Sequence, residues 1–582
     1  MNKLWFRKYN SILICLVIAA ISIFVRIPNF ERDDFHNSDA TWHVLHTLRC
    51  YDETPISIHK FLPIVTLGSP EDKGISWGAT IPDQYGNYYY TSFSPAGYIA
   101  PYLFMKALHI PISLMGLYAF NSLLLVLCFA FAARLFEKLF PTINKNYLWL
   151  MTAVVYLFQP EIMQGQGITY WSQSLYQLIL LIQLNILFSP YSRKKYVAML
   201  FLTLIGAYTE WTGYCAAIGI ALFYLCTDKR KWQSIFKSIG IITIALLAFG
   251  LFCLHYLLVV KSSDFTSALI ARFLARNVAT NTPLWQLWQG YVISFGLLLA
   301  VTAIGVFFCL MTKNNRPNLF LRSLINHKWL FIIMIFALAE NVIMKQHAVA
   351  YSFDRMKAVF IIMGLLYCSI EAIILSVLNA DNIINSLRWV LGILSVLAAI
   401  NLFRYKTINT QLFVFEKPQL AINKTIANEL NEKFDRNNSV MVYDGGVRGY
   451  LNTLFDRGIY EGRGLVQAIQ IAANNGKRYA VALKSDFSYS VNDSTAVDSI
   501  LDLTDANWTH GVLNNGSILL FAENPLTRST LLEQTPTTLI LDKIEYTIVS
   551  VDIRPNGYIG ITMADHETAL KFAYPTKFEI RY

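Results

Sequence analysis

Charged residues are scarce in this sequence of 582 residues, and their scarcity decides its class. Asp, Glu, Lys and Arg make up 15% of the chain, hydrophobic residues make up 55%, and the mean hydropathy is +0.41. A globular protein has about a quarter charged residues, so this composition excludes an ordinary soluble enzyme and predicts a polytopic membrane protein. The net charge of +10 does not indicate nucleic-acid binding, because most Lys and Arg residues lie in short loops between apolar runs.

Cysteine is also sparse, with eight residues in the chain. Seven lie in or beside apolar segments, Cys50 is the only one in a long loop, and none follows residue 404. This pattern excludes a disulfide framework and a Cys/His metal site. A complete glycine fingerprint for nucleotide binding is missing as well. Asp444-Gly445-Gly446 fits a phosphate turn after a strand, but an ordinary turn is the simpler interpretation.

Eleven apolar runs predict membrane spans, although several are shorter than the roughly 20 residues of a straight span. They are 11–27, 113–133, 147–160, 172–189, 197–211, 213–226, 238–260, 290–311, 329–344, 357–378 and 388–403. The first run follows Lys3, Arg7 and Lys8 and lacks a small-residue cleavage site, which predicts a retained span. The region 197–226 is long enough only for two short helices or a broken hairpin.

Basic residues orient these spans, because cytoplasmic loops carry an excess of Lys and Arg. The loops on the N-terminal side contain Arg134, Lys138, Lys145, Arg193, Lys194, Lys195, Lys229, Arg230, Lys231, Lys237, Lys313, Arg316, Arg322 and Lys328. That side is therefore predicted to be cytoplasmic. Loops 28–112, 261–289 and 345–356 then face outward, as does everything after residue 404. We expect a protein of the bacterial inner (plasma) membrane whose active site and C-terminal region face the periplasm.

The composition changes sharply near residue 404, which predicts two domains. Residues 1–404 form a transmembrane domain with a long outer loop at 28–112, and residues 405–582 form an extracytoplasmic soluble domain. The polar tail has a helical pattern at 419–434, strand patterns at Val440–Tyr443, Tyr479–Leu483 and Ile518–Ala522, and alternating runs from Thr538. The predicted fold class is an α-helical polytopic membrane protein of about eleven spans with a C-terminal soluble α/β domain.

Acidic residues and histidines cluster just past the first span. Asp33, Asp34, Asp39 and His43 lie there, and Asp39 and His43 would share one face of a helix. Charged groups at a membrane boundary are costly unless they are wet or paired, so they indicate a functional site. A carboxylate here could act as a general base on a hydroxyl nucleophile. A solvated loop, or a helix cap made by Asp33 and Asp34, explains the residues equally well.

Two further acids stand where spans emerge on the outer side. Glu161 fits a second carboxylate, a metal ligand or a solvated loop residue, and Tyr170 and Trp171 after it fit interface anchors or sugar-stacking rings. Glu210 has mostly apolar residues on both sides, so it needs a partner or water. It is a candidate catalytic residue, and a hydrogen-bonded helix break is the structural alternative.

Basic and aromatic residues recur in the later outer loops. His347, Tyr351 and Arg355 are spaced by four residues, which predicts one helical face carrying all three. Lys345 lies at the same boundary, and Arg272 and Arg276 are four apart in the preceding outer loop. Fixed donors and positive charge are what a phosphate or pyrophosphate head group needs. Snorkelling interface anchors are the alternative interpretation.

These features together resemble the membrane glycosyltransferases of the GT-C superfamily. The stretch Ser38-Asp39-Ala40-Thr41-Trp42-His43-Val44-Leu45 looks like that superfamily's first-loop element. The Tyr-rich run that closes in Phe93-Ser94-Pro95 is similar to its aromatic entry to the second span. The layout agrees over roughly residues 1–400. The Trp-Trp-Asp motif of oligosaccharyltransferases is missing, which argues against transfer of a whole oligosaccharide to asparagine.

The resemblance implies an inverting transferase that moves one sugar, a hexose or a pentose, from a polyprenyl-phosphate carrier to a glycan, lipid or protein acceptor in the cell envelope. Asp39 would be the general base and the basic residues would bind the carrier phosphate. The sequence makes no cofactor certain, and a divalent metal and a metal-free reaction are both compatible with it. An O-antigen polymerase or ligase is one alternative. A transporter or flippase for a lipid-linked or polar substrate is another, for which Glu210 and Glu340 would be the relevant residues.

Overall fold

The chain divides into two compact units, which are described separately. The first contains residues 1–65 and 76–416, and the second contains residues 66–75 and 417–582. The computed structural model describes residues 2–30, 38–68, 80–227, 230–277, 282–311, 316–376, 380–407, 420–443, 448–461, 468, 471–472, 475–484, 497–502, 510–514, 518–521, 537–541, 544–553, 559–564 and 576–581. The predicted boundary at 404 falls inside a helix that runs on to Thr407.

The first unit is built almost wholly from helices. In chain order they are α1 Asn2–Arg26, α2 Ser38–Glu53, α3 Ile56–His59, α4 Ala96–Ala107, α5 Leu114–Leu139, α6 Lys145–Leu157, α7 Pro160–Met163, α8 Ser172–Leu187, α9 Arg193–Thr209, α10 Thr212–Thr227, α11 Lys231–Leu257, α12 Ser262–Asn277, α13 Leu284–Met311, α14 Arg316–Asn326, α15 Lys328–Ile343, α16 Lys345–Ala350, α17 Val359–Ser376 and α18 Ala380–Thr407. Three short turns of other helical types cover Ile27–Asn29, Gln164–Ile168 and Ser352–Ala358.

Each of the eleven apolar runs coincides over most of its described length with a helix, and several runs extend a few residues past the helix end. Among the described residues, five helical stretches are long and apolar enough to cross a membrane: Leu114–Leu139, Lys231–Leu257, Leu284–Met311, Ser352–Ser376 and Asn382–Tyr405. The pair α14 and α15, bent by 60°, makes six if it is one span. The protein is therefore an integral membrane protein, whereas the number eleven stays a prediction.

Burial separates the helices that line the interior of the unit from those that face outward. Within the most apolar part of each stretch, 78% of Ser352–Ser376 is buried inside the protein, against 28% of α11, 28% of α13 and 22% of α18. Large exposed apolar surfaces are rare on soluble proteins. The outer surfaces of α11, α13 and α18 are therefore suited to contact with lipid.

Several helix boundaries follow from capping residues in the sequence. Ser113 accepts a hydrogen bond from the backbone N–H of Gly116, and Ser192 accepts one from that of Lys195. These caps satisfy amide groups that have no partner within the first turn. At the other end of α9, Glu210 is extended and α10 begins at Thr212, so 197–226 is a pair of short helices, as one of the two alternatives predicted.

The loop 28–112, which the sequence predicts to face outward, contains a small hairpin that carries aromatic residues toward the helices. Strands β1 (Thr80–Pro82) and β2 (Tyr88–Tyr90) pair antiparallel. The hydroxyl of Tyr256 in α11 donates to the backbone carbonyls of Tyr90, at 2.6 Å, and Phe93, at 3.2 Å. The loop is therefore fixed to a buried position of the helical unit.

The described part of the second unit contains strands together with the helices α19 (Leu420–Lys433) and α20 (Arg448–Phe455). Its ten described strands are β3 Ser439–Tyr443, β4 Tyr460–Glu461, β5 Tyr479–Leu483, β6 Val497–Asp502, β7 His510–Asn514, β8 Ile518–Phe521, β9 Thr538–Leu541, β10 Ile544–Ile553, β11 Ile559–Met563 and β12 Thr576–Arg581. One sheet has the order β4-β3-β5-β6, and the other six strands close a barrel in the order β10-β11-β8-β7-β12-β9. The predicted helix and three strands lie in α19, β3, β5 and β8. Their membership of an extracytoplasmic soluble domain stays a prediction.

Candidate active site

Asp39 is the exposed carboxylate of the candidate site. It lies in the first turn of α2, and the hydroxyl of Tyr351 donates to its Oδ2 at 3.0 Å. Burial and the neighbouring Asp39 carboxylate raise the pKa of Tyr351, so its phenol keeps the proton that it donates. The contact joins two predicted site residues that are 312 positions apart in the sequence.

A second acid–base pair stands beside Tyr351. The rings of His347 and Tyr351 lie 4.5 Å apart, and His347 Nδ1 contacts Oδ2 of Asp354, which is fully buried. The second oxygen of Asp354, Oδ1, has no hydrogen-bond partner among the described residues. Because Nδ1 of His347 is held by a carboxylate, Nε2 is its remaining atom for donating or accepting a proton.

His43, which follows Asp39 by one turn in α2, packs inside an aromatic cluster. Its ring lies 4.4 Å from that of Tyr90 and 5.7 Å from those of Tyr98 and Trp171. Burial, followed by the charges of His46 and Arg272, lowers the pKa of His43 to about 3. His43 is therefore neutral at physiological pH, and it contributes shape and aromatic contact where a cation would be costly.

Two arginines extend from α12 toward the same hairpin. Arg272 Nε donates to Ser92 Oγ at 3.0 Å. The guanidinium of Arg276 lies 4.6 Å from the centre of the Phe93 ring and donates to the Tyr90 hydroxyl at 3.4 Å. Their spacing of four residues places both on one face of α12, so their positive charges act on the same region.

These arginines line a cavity of about 450 Å³ between helices of the first unit. The lining residues are Ser92, Trp211, Tyr214, Cys215, Phe249, Leu269, Ile270, Arg272, Phe273, Arg276, Glu340, Ile343 and Met344. Glu340, the one carboxylate among them, accepts from Lys357 Nζ at 2.8 Å and from Thr212 Oγ1 at 3.2 Å. Because Lys357 neutralises that carboxylate, the cavity is an apolar pocket whose positive charge comes from Arg272 and Arg276.

Glu161 and Arg355 form an ion pair in the interior. Arg355 Nε lies 3.1 Å from Glu161 Oε1, and both side chains are buried. Arg355 Nη1 also donates to the backbone carbonyls of Ala348 and Val349, and Ser294 Oγ donates to the same Glu161 oxygen. A Cβ on Gly290 would lie 3.1 Å from the guanidinium carbon, so this glycine makes room for the pair. The pair connects α7, α13 and the segment after α16.

Glu210 occupies the break between α9 and α10. Ser172 Oγ donates to its Oε2, and the backbone N–H of Trp211 donates to Oε1 at 3.0 Å. The side chain is buried, with 2% of its surface exposed. This is the hydrogen-bonded helix break that the sequence offered as the structural alternative, and it places Trp211 at the wall of the cavity.

The structure brings most of the predicted site residues together around the segment 90–93. His43 and Arg276 contact Tyr90, and His347 and Arg276 contact Phe93. Arg272 contacts Ser92, and Asp39 joins the group through Tyr351, whose ring lies beside that of His347. Arg355 and Glu161 lie in their buried pair instead, and Lys345 does not line the cavity. Asp33 and Asp34 lie outside the described residues.

The predicted helical face through His347, Tyr351 and Arg355 is wrong. Helix α16 ends at Ala350, Tyr351 is extended, and Ser352–Ala358 forms a tighter 3₁₀ turn. The break turns Tyr351 toward Asp39 and Arg355 toward Glu161. Tyr90, Ser92 and Asp354 also belong to the site, and the sequence patterns do not predict them as site residues. The aromatic run Tyr88–Tyr90 was the available signal for the first of them.

Tyr170 and Trp171 are buried in the unit, and neither is an interface anchor. Trp171 lies 4.8 Å from the Phe93 ring, and the Tyr170 hydroxyl donates to the Gly97 carbonyl at 2.8 Å. Within the described ranges, no three His, Cys, Asp or Glu side chains are grouped so that they could hold a metal ion.

No protein-family model matches the sequence, and no curated protein sequence matches it either. Among solved structures, the chain is similar to the archaeal oligosaccharyltransferase AglB from Archaeoglobus fulgidus, in complex with an inhibitory peptide and a dolichol-phosphate. The two share 12% identity with a TM-score of 0.46, over 97% of this chain and 75% of AglB. It is also similar to ArnT from Cupriavidus metallidurans bound to undecaprenyl phosphate, with 12% identity and a TM-score of 0.46, over 95% and 97% of the two chains.

Both enzymes are of the superfamily that the sequence resembles. With TM-scores below 0.5 and 12% identity, the likeness carries no argument about activity.

Proposed function

We propose that the protein is a glycosyltransferase that moves a single sugar from a polyprenyl-phosphate carrier to a hydroxyl of a glycan, lipid or protein acceptor on the outer face of the membrane. The observation that carries the proposal is the cavity that Arg272 and Arg276 line, with the exposed carboxylate of Asp39 nearby. The cavity with its two arginines suits a lipid phosphate, and the carboxylate suits activation of an acceptor hydroxyl.

The cavity has the chemistry of a lipid-phosphate site. Arg272 and Arg276 supply donors and positive charge for a phosphate, and Trp211, Phe249 and Phe273 supply apolar walls for the first isoprene units. Phe273 and Ile270 are also partly exposed on the outside of the unit, with 45% and 55% of their surfaces accessible. The remaining prenyl chain can therefore continue into the bilayer beside α12.

A continuous set of contacts joins the cavity to Asp39. Arg276 lies over Phe93, the Phe93 and His347 rings are 5.4 Å apart, and His347 stacks beside Tyr351, which donates to Asp39. A sugar linked to a phosphate at Arg276 would therefore point along this row of contacts toward Asp39, with its anomeric carbon between the arginines and the carboxylate.

The reaction needs one proton acceptor and one site for the leaving group. Asp39 takes the proton of the acceptor hydroxyl while that oxygen forms a bond to the anomeric carbon. The bond from this carbon to the phosphate oxygen breaks, and Arg272 and Arg276 stabilise the negative charge that stays on the carrier phosphate. A single displacement of this kind inverts the anomeric carbon. Tyr351 orients Asp39 through its hydrogen bond.

The test is a panel of labelled polyprenyl-phosphate hexoses and pentoses given to the purified protein in detergent. The proposal expects one of them to be consumed with an acceptor and the free carrier phosphate to appear. A transporter would leave every donor intact in detergent and move it only in sealed vesicles. Transfer of an intact oligosaccharide with no single-sugar transfer would favour a polymerase or ligase.

A further inference from the structure

A second cavity, of about 460 Å³, lies at the opposite ends of α9, α10 and α11 from the candidate active site. Lys195 lines this cavity in the first turn of α9, whereas Glu210 follows the last turn of that helix. A helix of 17 residues is about 25 Å long, so the two sites are far apart. Nothing in the proposed transfer reaction uses this second cavity.

Three cations line this cavity: Lys195, Arg230 and Lys237. The described residues of its lining include no Asp or Glu. Lys237 Nζ lies 3.7 Å from the centre of the Tyr191 ring, and the backbone carbonyl of Lys237 accepts from Tyr196. Lys195 Nζ donates to the Pro190 carbonyl at 2.9 Å. The ammonium groups are therefore held at the rim by specific contacts.

The inner wall of the cavity is apolar. Leu187, Phe223 and Tyr224 form part of it, between the ends of α8 and α10. On the outside, Trp232 at the start of α11 has 73% of its surface exposed, and Tyr191 has 59%. Aromatic residues of this kind favour the level of lipid head groups. A cationic rim over an apolar wall suits a phosphate that carries acyl chains better than a free phosphate, which gains nothing from the wall.

We propose that this cavity binds an anionic phospholipid, with its phosphate head group at Lys195, Arg230 and Lys237 and an acyl chain along Phe223 and Tyr224. The predicted orientation places this end of the helices on the cytoplasmic side, where basic pockets between helices meet anionic head groups. The bound lipid would hold the ends of α8 to α11 together without taking part in sugar transfer.

The experiment uses the full chain in nanodiscs of phosphatidylcholine that contain a minor share of phosphatidylglycerol. Lipid retained by the protein after release into detergent is measured by native mass spectrometry. The test variant is Lys195→Gln with Lys237→Gln, and the matched control is Lys194→Gln, which removes an exposed lysine beside the site. Arg230→Gln is a second test variant at an exposed position, so a folding defect in the double variant does not end the test.

The proposal expects phosphatidylglycerol to be retained over phosphatidylcholine by the wild type and by Lys194→Gln. Retention should fall about fivefold for each cation removed, in the double variant and in Arg230→Gln. Equal retention by the wild type and both test variants would overturn the site. Full displacement by millimolar inorganic phosphate would overturn the lipid assignment, because the cavity would then hold a free anion.

Discussion

Arg355 offers the sharpest distinction between a substrate-binding residue and a structural one. The sequence predicts that it binds the donor phosphate, whereas the structure places it 4% exposed in an ion pair with Glu161, which is fully buried. Replacing Arg355 by Met removes the cation that neutralises Glu161 and the guanidinium donor to the carbonyls of Ala348 and Val349, and it leaves Glu161 with the neutral donor Ser294. Removing one partner of a buried pair destabilises a protein by about 3–5 kcal/mol. We therefore expect Arg355→Met to lower the free energy of unfolding by that amount.

The assay is unfolding of the purified protein in detergent, followed by tryptophan fluorescence. The double variant Arg355→Met with Glu161→Gln should lose less stability than Arg355→Met alone, because no unpaired charge stays buried. Lys345→Met is the control. Because Lys345 is half-buried and lies outside the Glu161–Arg355 ion pair, this substitution should change the free energy of unfolding by no more than about 0.5 kcal/mol. Wild-type stability of Arg355→Met, together with a raised KM for the donor, would refute this assignment and return Arg355 to the substrate site.

Three further predictions concern the site itself. Arg276→Gln and Arg272→Gln should each raise the donor KM about tenfold and leave the acceptor KM unchanged, because a charge-assisted contact to phosphate contributes about 1.5–3 kcal/mol. Equal effects on the donor KM and the acceptor KM would contradict the assignment of the cavity to the donor phosphate. Tyr351→Phe should lower kcat about fivefold with little change in the donor KM, because it removes one hydrogen bond that orients Asp39. A kcat equal to that of the wild type would show that Asp39 does not need this hydrogen bond. Burial lowers the pKa of His43 to about 3, so below pH 6.5 the unfolded chain takes up a proton that the folded protein does not bind. The free energy of unfolding should therefore be highest above about pH 6.5 and should fall as the pH drops below that value. Unfolding at pH 7 and pH 5 should differ by about 2 kcal/mol more in the wild type than in His43→Asn, and identical differences would exclude this role.

Much of the helical architecture follows from local sequence. Apolar runs place the helices, and Ser113 and Ser192 fix where two of them begin, since both signals depend on neighbouring residues. The number of spans does not follow in the same way. Helices such as α8 and α10 are apolar but short, and their length alone does not decide whether they cross the membrane.

The candidate site could be predicted only in part, because its charges are paired across long sequence distances. Asp39, Arg272 and Arg276 stand out since charges at a membrane boundary are costly without a role. The Glu161–Arg355 pair joins positions 194 residues apart, and no local pattern shows that each neutralises the other. The break at Tyr351 likewise depends on what its neighbours contact, so a spacing of four residues indicated one helix where the structure has two segments.

Sugar transfer by the Asp39→Asn variant shows directly whether Asp39 is the general base. The measurement is the rate of sugar transfer by purified protein from the donor that the wild type uses, with Asp52→Asn as the control, because Asp52 lies in the same helix and pairs with Lys106 at the surface. Loss of a positioned general base should lower the rate by about a hundredfold or more, while unfolding and donor binding stay as in the wild type. Full turnover by Asp39→Asn would rule out Asp39 as the general base, and no other exposed carboxylate among the described residues of this site contacts Tyr351.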